Sequence, residues 1–114
     1  MSTELSEIQT PAYIIDEEKL EKNLSYFRDV KQQTGCKILL ATKAYSCFET
    51  YPLISKYLDG TTNSSLYEAR LSQETFGKET HIYSPAYKEE EISDKVKECK
   101  ISLIRFCKEN LELK

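Results

Sequence analysis

The stretch Lys37–Phe48, KILLATKAYSCF, decides how the rest of the chain is read. Ile38, Leu39, Leu40 and Ala41 are apolar at consecutive positions. Continuous rather than alternating apolarity is the pattern of a parallel strand covered on both faces. The run KILLATK ends in Lys43, so the strand delivers an ammonium group to its far end. Upstream, AYIID reads as a short β-like segment, and Asp16 as the N-cap of a helix over EEKLEKNLSYFRDVKQQTG. Leu20, Leu24, Phe27 and the stem of Lys31 share one face of that helix, and Gly35 suits its left-handed stop.

Downstream the pattern repeats. TYPLISKYLDG reads as a helix with Pro52 in its first turn and Ile54 and Leu58 on its buried stripe. TTNSS is strand-like with a polar end, and Ser65 with Glu68 forms a capping box opening LYEARLSQETF, which stops at Gly77. THIYS is a third strand, YKEEEISDKVKE a connecting helix with Ile92 and Val96 one turn apart, and KISLIRF a fourth strand. CKENLELK would begin another helix. Strands therefore start near residues 37, 61, 80 and 100, with a helical pattern between each pair. That rhythm is consecutive βα units in a parallel sheet. The chain has 114 residues, whereas a complete eight-fold barrel needs roughly 250. Two architectures fit: a small doubly wound domain, or the first half of a barrel.

Composition narrows the function classes. A net charge of −3 gives no basic footprint for nucleic acid. Hydrophobic residues at 39% and charged residues at 31%, with three Gly and three Pro, describe a soluble globular chain. No apolar run spans a bilayer, and MSTELSEIQTP lacks an export h-region, so a cytoplasmic protein is expected. Cys36, Cys47, Cys99 and Cys107 lack metal-ligand spacing and read as reduced thiols. No repeat or linker divides the chain.

In parallel α/β architectures ligands collect at the C-terminal ends of strands. Lys43, the NSS of Asn63–Ser65 and the SPAY of Ser84–Tyr87 all fall there. A lysine desolvated at an apolar strand mouth loses part of its charge, and a neutral amine is a nucleophile towards carbonyls and pyridoxal phosphate. The plainer readings stand beside this one. Most strand-end lysines are solvated, Ser64 and Ser65 suit helix capping, and Glu68 suits a capping box. His81 and Cys47 suit packing, and Glu89–Glu91 suit a helix's first turn.

The segments TPAYIIDEEKLEKNL, KILLATKAYSCFETYPLISKYLDGTTNSSLYEARL and HIYSPAYKEEEI together resemble the N-terminal part of carboxynorspermidine decarboxylase. The resemblance runs from about Thr10 to about Phe106. DGTTNSSLYEARL with YSPAYK carries it far more than the lysine alone. That family belongs to the pyridoxal-phosphate decarboxylases with an alanine-racemase-like barrel, alongside diaminopimelate and ornithine decarboxylases.

The resemblance implies an α/β fold: about four βα units from the N-terminal portion of a (β/α)8 TIM-like barrel, without the C-terminal β-domain. It makes Lys43 the cofactor-bearing and catalytic lysine, with Ala41, Thr62 and Ser64 at the cofactor and Ser65, Ser84 and Tyr87 as candidates for the substrate pocket. Ala44 adds a second small flank to Lys43. Thr62 stands where the ornithine branch has an acid, which favours the carboxynorspermidine branch. The implied reaction converts carboxynorspermidine or carboxyspermidine to norspermidine or spermidine plus CO2, with a polyamine-type substrate and a homodimeric full-length enzyme. No metal, nucleic acid or membrane is implied.

Family members are much longer. The glycine-rich phosphate loop, the acid at the pyridine nitrogen and the later cysteine segment fall outside the resemblance, so the chain alone is expected to be inactive and poorly stable. The family's fourth strand resembles ISFNS followed by Phe. A single-base deletion near Leu103 turns Phe-Asn-Ser-Phe into Leu-Ile-Arg-Phe, which reads the tail from about residue 103 as out of frame. A different decarboxylase of this fold, such as one acting on diaminopimelate, is the nearest alternative. A non-catalytic truncated binding protein, or a self-contained α/β domain in which Lys43 is a surface charge, are the others.

Overall fold

Asp16 sets the first helix. In the computed structural model, which describes residues 4–84, 88 and 90 and the backbone of 101–103, its side chain accepts the Lys19 N–H at 3.0 Å and opens α1, Glu17–Thr34. Glu17 and Glu18 occupy the positive N-terminal turn. Gly35, at φ +70°, ends the helix in a conformation that costs other residues a Cβ clash. Beyond α1 the chain runs through β1 (Leu39–Ala41), a short 3-10 turn at Phe48–Thr50 and α2 (Tyr51–Ile54). It continues through β2 (Gly60–Asn63), α3 (Leu66–Thr75), β3 (Glu79–Ile82) and β4 (Ile101–Leu103).

All four strands are parallel and lie in sequence order, β1-β2-β3-β4. A doubly wound sheet reverses its strand order at a switch point. This sheet does not reverse over its described strands, so the barrel-type winding is the one observed. Pairing sets Ala41 opposite Thr62 and Thr62 opposite His81, while Asn63 lies opposite Ile82.

Alternation then divides the sheet into two faces. Thr61, Asn63, Thr80 and Ile82 are buried, on the face where the Ser72 hydroxyl of α3 reaches Asn63. Ala41, Thr62, Glu79 and His81 point to the opposite, open face. The apolar core is Leu24, Tyr51, Ile54, Leu58 and Phe76, with Leu20, Ile38, Leu40 and Tyr45 packed against it. Tyr51 and Phe76 meet edge to face at 5.8 Å.

One acid joins helix to sheet. Asp59 Oδ1 takes the Lys31 ammonium at 2.7 Å, Oδ2 takes the Ile38 N–H at 2.8 Å, and the Asp59 N–H returns to Ile38 O at 2.9 Å. Lys31 also reaches Tyr57 O at 2.9 Å. Burial works against the Asp59 carboxylate, but the Lys31 ammonium and the Ile38 N–H outweigh it and hold its pKa below the ordinary aspartate value. Next to it, Gly60 admits β3: a Cβ there would stand 2.1 Å from Glu79 O. No other residue lets β2 and β3 pair at this spacing.

Several expectations are corrected. AYIID forms no strand; Tyr13, Ile14 and Ile15 are exposed, because a strand needs a ladder partner and none lies among the described residues. Phe27 does not join the core but remains 48% exposed, with Tyr26 and Val30 beside it. The first strand is three residues long, not seven, and the TYPLISKYLDG helix is reduced to α2 with turns on either side. The expected YKEEEISDKVKE helix lies outside the described residues, apart from Lys88 and Glu90.

Asp59→Asn keeps the shape of the side chain and the acceptor for Ile38 but removes the charge opposite Lys31. It is expected to lower the unfolding free energy in urea by about 1 kcal/mol at neutral pH. The depressed folded-state pKa makes this contribution complete above about pH 4, the unfolded aspartate range, and lost as pH falls through the lower folded value. Wild type and variant should therefore converge in acid; equal stability at pH 7 would refute the assignment.

Candidate functional site

Lys43 follows β1 by two residues, in the turn Thr42–Lys43–Ala44. The turn is built locally: Ala44 N–H and Tyr45 N–H both reach Ala41 O, at 3.0 and 3.3 Å, and the Ser46 hydroxyl donates to Thr42 O at 2.6 Å. The apolar strand therefore stops short of the lysine, and Lys43 is exposed at the C-terminal end of the sheet rather than sunk into an apolar mouth. The expected desolvation does not occur among these residues. Lys31 is paired with Asp59, Lys37 with Glu79, and Lys78 donates to Leu58 O. No hydrogen bond or ion pair engages Lys43 Nζ among the described residues, so its amine is available to an incoming group.

Thr42, immediately before Lys43, is buried. Its N–H extends the ladder to Thr62 O at 3.1 Å. Its hydroxyl lies 3.1 Å from Asn63 Oδ1 and 3.2 Å from Glu68 Oε2. Glu68 also accepts the Ser64 N–H at 2.6 Å, while Ser65 Oγ accepts the Glu68 N–H at 3.2 Å and caps α3. The capping box is thus displaced by one residue: the carboxylate returns to Ser64 and leans on Thr42 instead of closing on Ser65. Glu68, read from sequence as a cap, also ties the β2–α3 turn to the Lys43 turn.

The expected site residues fall into groups. Ala41 and Thr62 share the open face in adjacent register, below the Lys43 turn. Ser64 is exposed and Ser65 half-buried, both at the top of β2. Ser84 follows β3 at the same end of the sheet, and Tyr87 lies outside the described residues. His81, expected to serve packing or surface, sits on the open face beside Thr62. Its Nε2 is 3.2 Å from Glu79 Oε2, and its buried Nδ1 has no partner among the described residues. Glu79 is held below the ordinary glutamate pKa by the Lys37 hydrogen bond first and by His81 second. Sequence reading passed over Thr42 and Ser72, and named Asn63 only as part of the NSS strand end. The signal for them was alternation: two residues apart from Thr61, Asn63 must point into the helical layer, where a buried amide requires partners.

No family model matches the chain. Curated relatives do. The chain is 44% identical over 92 residues to a carboxynorspermidine/carboxyspermidine decarboxylase from Herminiimonas arsenicoxydans, covering 81% of this chain and 25% of that protein. It is 45% identical over 87 residues to the Campylobacter jejuni protein of the same name, covering 76% of this chain and 23% of that one. A carboxyaminopropylagmatine decarboxylase from Synechocystis is 38% identical over 88 residues, covering 77% of this chain and 23% of its own length. In structure, the chain superposes on carboxynorspermidine decarboxylase from Campylobacter jejuni, complexed with norspermidine, at a TM-score of 0.71 and 44% identity. That match covers 73% of this chain and 23% of the other.

The chain is a relative of the carboxynorspermidine/carboxyspermidine decarboxylases. It spans about a quarter of the length of the curated decarboxylases it matches. The parallel sheet with its helices matches part of the decarboxylase fold. No helix among the described residues is long and apolar enough to cross a membrane, and no group of metal-ligating side chains occurs among them.

The geometry separates two roles for Ser65. As a cap, its replacement by Ala should cost about 1 kcal/mol of stability in urea unfolding and leave the reactivity of Lys43 towards an aldehyde unchanged. Altered reactivity at unchanged stability would instead assign Ser65 to the pocket.

Proposed function

We propose that this chain carries the lysine-bearing part of a pyridoxal-phosphate-dependent decarboxylase that acts on carboxynorspermidine or carboxyspermidine and releases CO2. The observation that supports it most is Lys43: an amine without a partner among the described residues, at the C-terminal end of a singly wound parallel sheet, in a chain related to decarboxylases of that name.

The residues present fit such a cofactor in part. Lys43 offers a free amine, Ala41 and Ala44 leave room at the backbone, and Thr62 offers a hydroxyl on the open face beside Ala41. When bound, pyridoxal phosphate supplies an electron sink for the pair left behind as the carboxylate departs. The chain's own part is narrower. Lys43 Nζ would hold the cofactor through its aldehyde, and as a free amine it would carry a proton for the product carbon. Thr62 hydrogen-bonds without adding negative charge. Ser64 completes the cofactor side, and Ser65, Ser84 and Tyr87 are assigned to the substrate side. A polyamine-type small molecule is the matching substrate, in keeping with norspermidine in the related Campylobacter jejuni structure.

On this reading residues 1–114 are part of an alanine-racemase-like barrel in a cytoplasmic, homodimeric enzyme, and the tail from about residue 103 is out of frame. Among the described residues the sheet has an open face and two edge strands with no further partner, and no closed site forms there.

The test is the absorbance of the purified chain mixed with pyridoxal phosphate, before and after borohydride, with Lys43→Ala alongside. A visible band fixed by reduction and absent from Lys43→Ala is expected, with no CO2 released from carboxynorspermidine. An adduct that persists in Lys43→Ala would remove the assignment of Lys43, and CO2 release by this chain would overturn its inactivity.

A further inference from the structure

Asn63 is 2% exposed, and every hydrogen-bonding atom of its amide is engaged. Nδ2 donates to Thr61 Oγ1 and to His81 O, both at 3.0 Å. Oδ1 accepts the Ser72 hydroxyl at 2.8 Å and lies 3.1 Å from the Thr42 hydroxyl. The Asn63 carbonyl accepts the Tyr83 N–H at 2.8 Å. One side chain thus joins β2, β3, α3 and the residue before Lys43. A buried amide so fully satisfied has a single orientation, since rotating it would set Oδ1 against the His81 carbonyl, which can only accept.

The Thr42 hydroxyl has one proton, with Thr62 O at 3.3 Å, Asn63 Oδ1 at 3.1 Å and Glu68 Oε2 at 3.2 Å within its reach. The Thr42 carbonyl is held from the other side by Ser46. Lys43 itself is exposed and its side chain has no described partner. Its backbone is held within the turn by the Ala44 and Tyr45 bonds to Ala41 O, and relative to β2 through its neighbour Thr42. We propose that Asn63, acting through the Thr42 hydroxyl, is a positioning residue for Lys43, holding the turn at a constant place relative to β2 so that the amine starts from one point above the open face. This rests on the reading of Lys43 as the cofactor lysine.

The experiment measures, in the full chain, how fast pyridoxal phosphate labels each lysine, with borohydride fixing each imine as a secondary amine and peptide mapping locating it. Exposed Lys22 and Lys56 serve as internal references. Thr42→Val, which keeps the shape and removes the hydroxyl, is expected to slow Lys43 labelling about tenfold with the reference lysines unchanged. Thr42→Ser should restore the rate, and Asn63→Ala should match Thr42→Val. The double variant should be no slower than either, because both act along one connection.

Lys43 labelling at the wild-type rate in a folded Thr42→Val overturns the proposal and leaves the cofactor reading standing. Wild-type labelling without preference for Lys43 removes that reading and the proposal with it. Where Thr42→Val does not fold, amide exchange in the wild-type chain decides. The proposal requires Thr42 and Ala44 N–H to exchange with the slow amides of β2; exchange as fast as in Tyr13–Ile15 overturns it.

Discussion

The rest of the chain hangs on the Asp59 carboxylate. A helix lying before the first strand has no covalent reason to pack where α1 packs, and its apolar stripe is thin: Leu24 is its one buried residue, with Leu20 half-buried. Asp59 supplies the missing constraint by holding the last turn of α1 through Lys31 and the entry of β1 through Ile38. The pair is partly buried, with side chains 21% and 25% exposed, so neither charge is fully desolvated. That is the regime in which an ion pair adds stability instead of costing it. Because Asp59 directly precedes Gly60, the same residue fixes where β2 begins, and through Gly60 how closely β3 follows.

Local signals made the helix ends legible in sequence. Asp16, Gly35 and Ser65 each act within a few residues of their own position, and the structure uses all three as read. The parallel order was legible too, from strand starts recurring with helices between them. What sequence could not supply were quantities fixed by distant partners. Asp59 read as the end of a helix because its partners, Lys31 and Ile38, lie 28 and 21 residues away. Phe27 had the spacing of a core residue, but no described element comes to cover it. The strand before Lys43 ended early because Ser46 and Ala41 fold the chain into a turn there, a choice that apolar periodicity does not record. At the site, Lys43 and the NSS strand end were visible from their places after strands, whereas the buried bridging role of Asn63 depends on Ser72, Thr42 and His81, which sequence does not place beside it.

The two faces of the sheet divide the labour. The helical face carries the apolar core and, at its upper rim, the polar cluster of Thr42, Asn63 and Ser72. The open face carries the small and polar side chains of Ala41, Thr62 and His81 in one register row. The match to the related decarboxylase structure covers 23% of that chain, so most of it has no counterpart in the described residues. The stability of the sheet and the chemistry assigned to it thus sit on opposite sides of the same strands and are joined at the Thr42–Lys43 turn.

The saturated amide at Asn63 has a covalent consequence. Asn63 precedes Ser64, and asparagine before a small residue is prone to attack by the following backbone nitrogen on the side-chain amide carbon, which closes a cyclic imide and expels ammonia. Here that nitrogen is committed to Glu68 at 2.6 Å, and both ends of the Asn63 amide are held. Nucleophile and electrophile cannot meet while the turn is intact. Isoaspartate at this position would therefore be a chemical clock, recording how long the top of β2 has spent open over the life of the molecule.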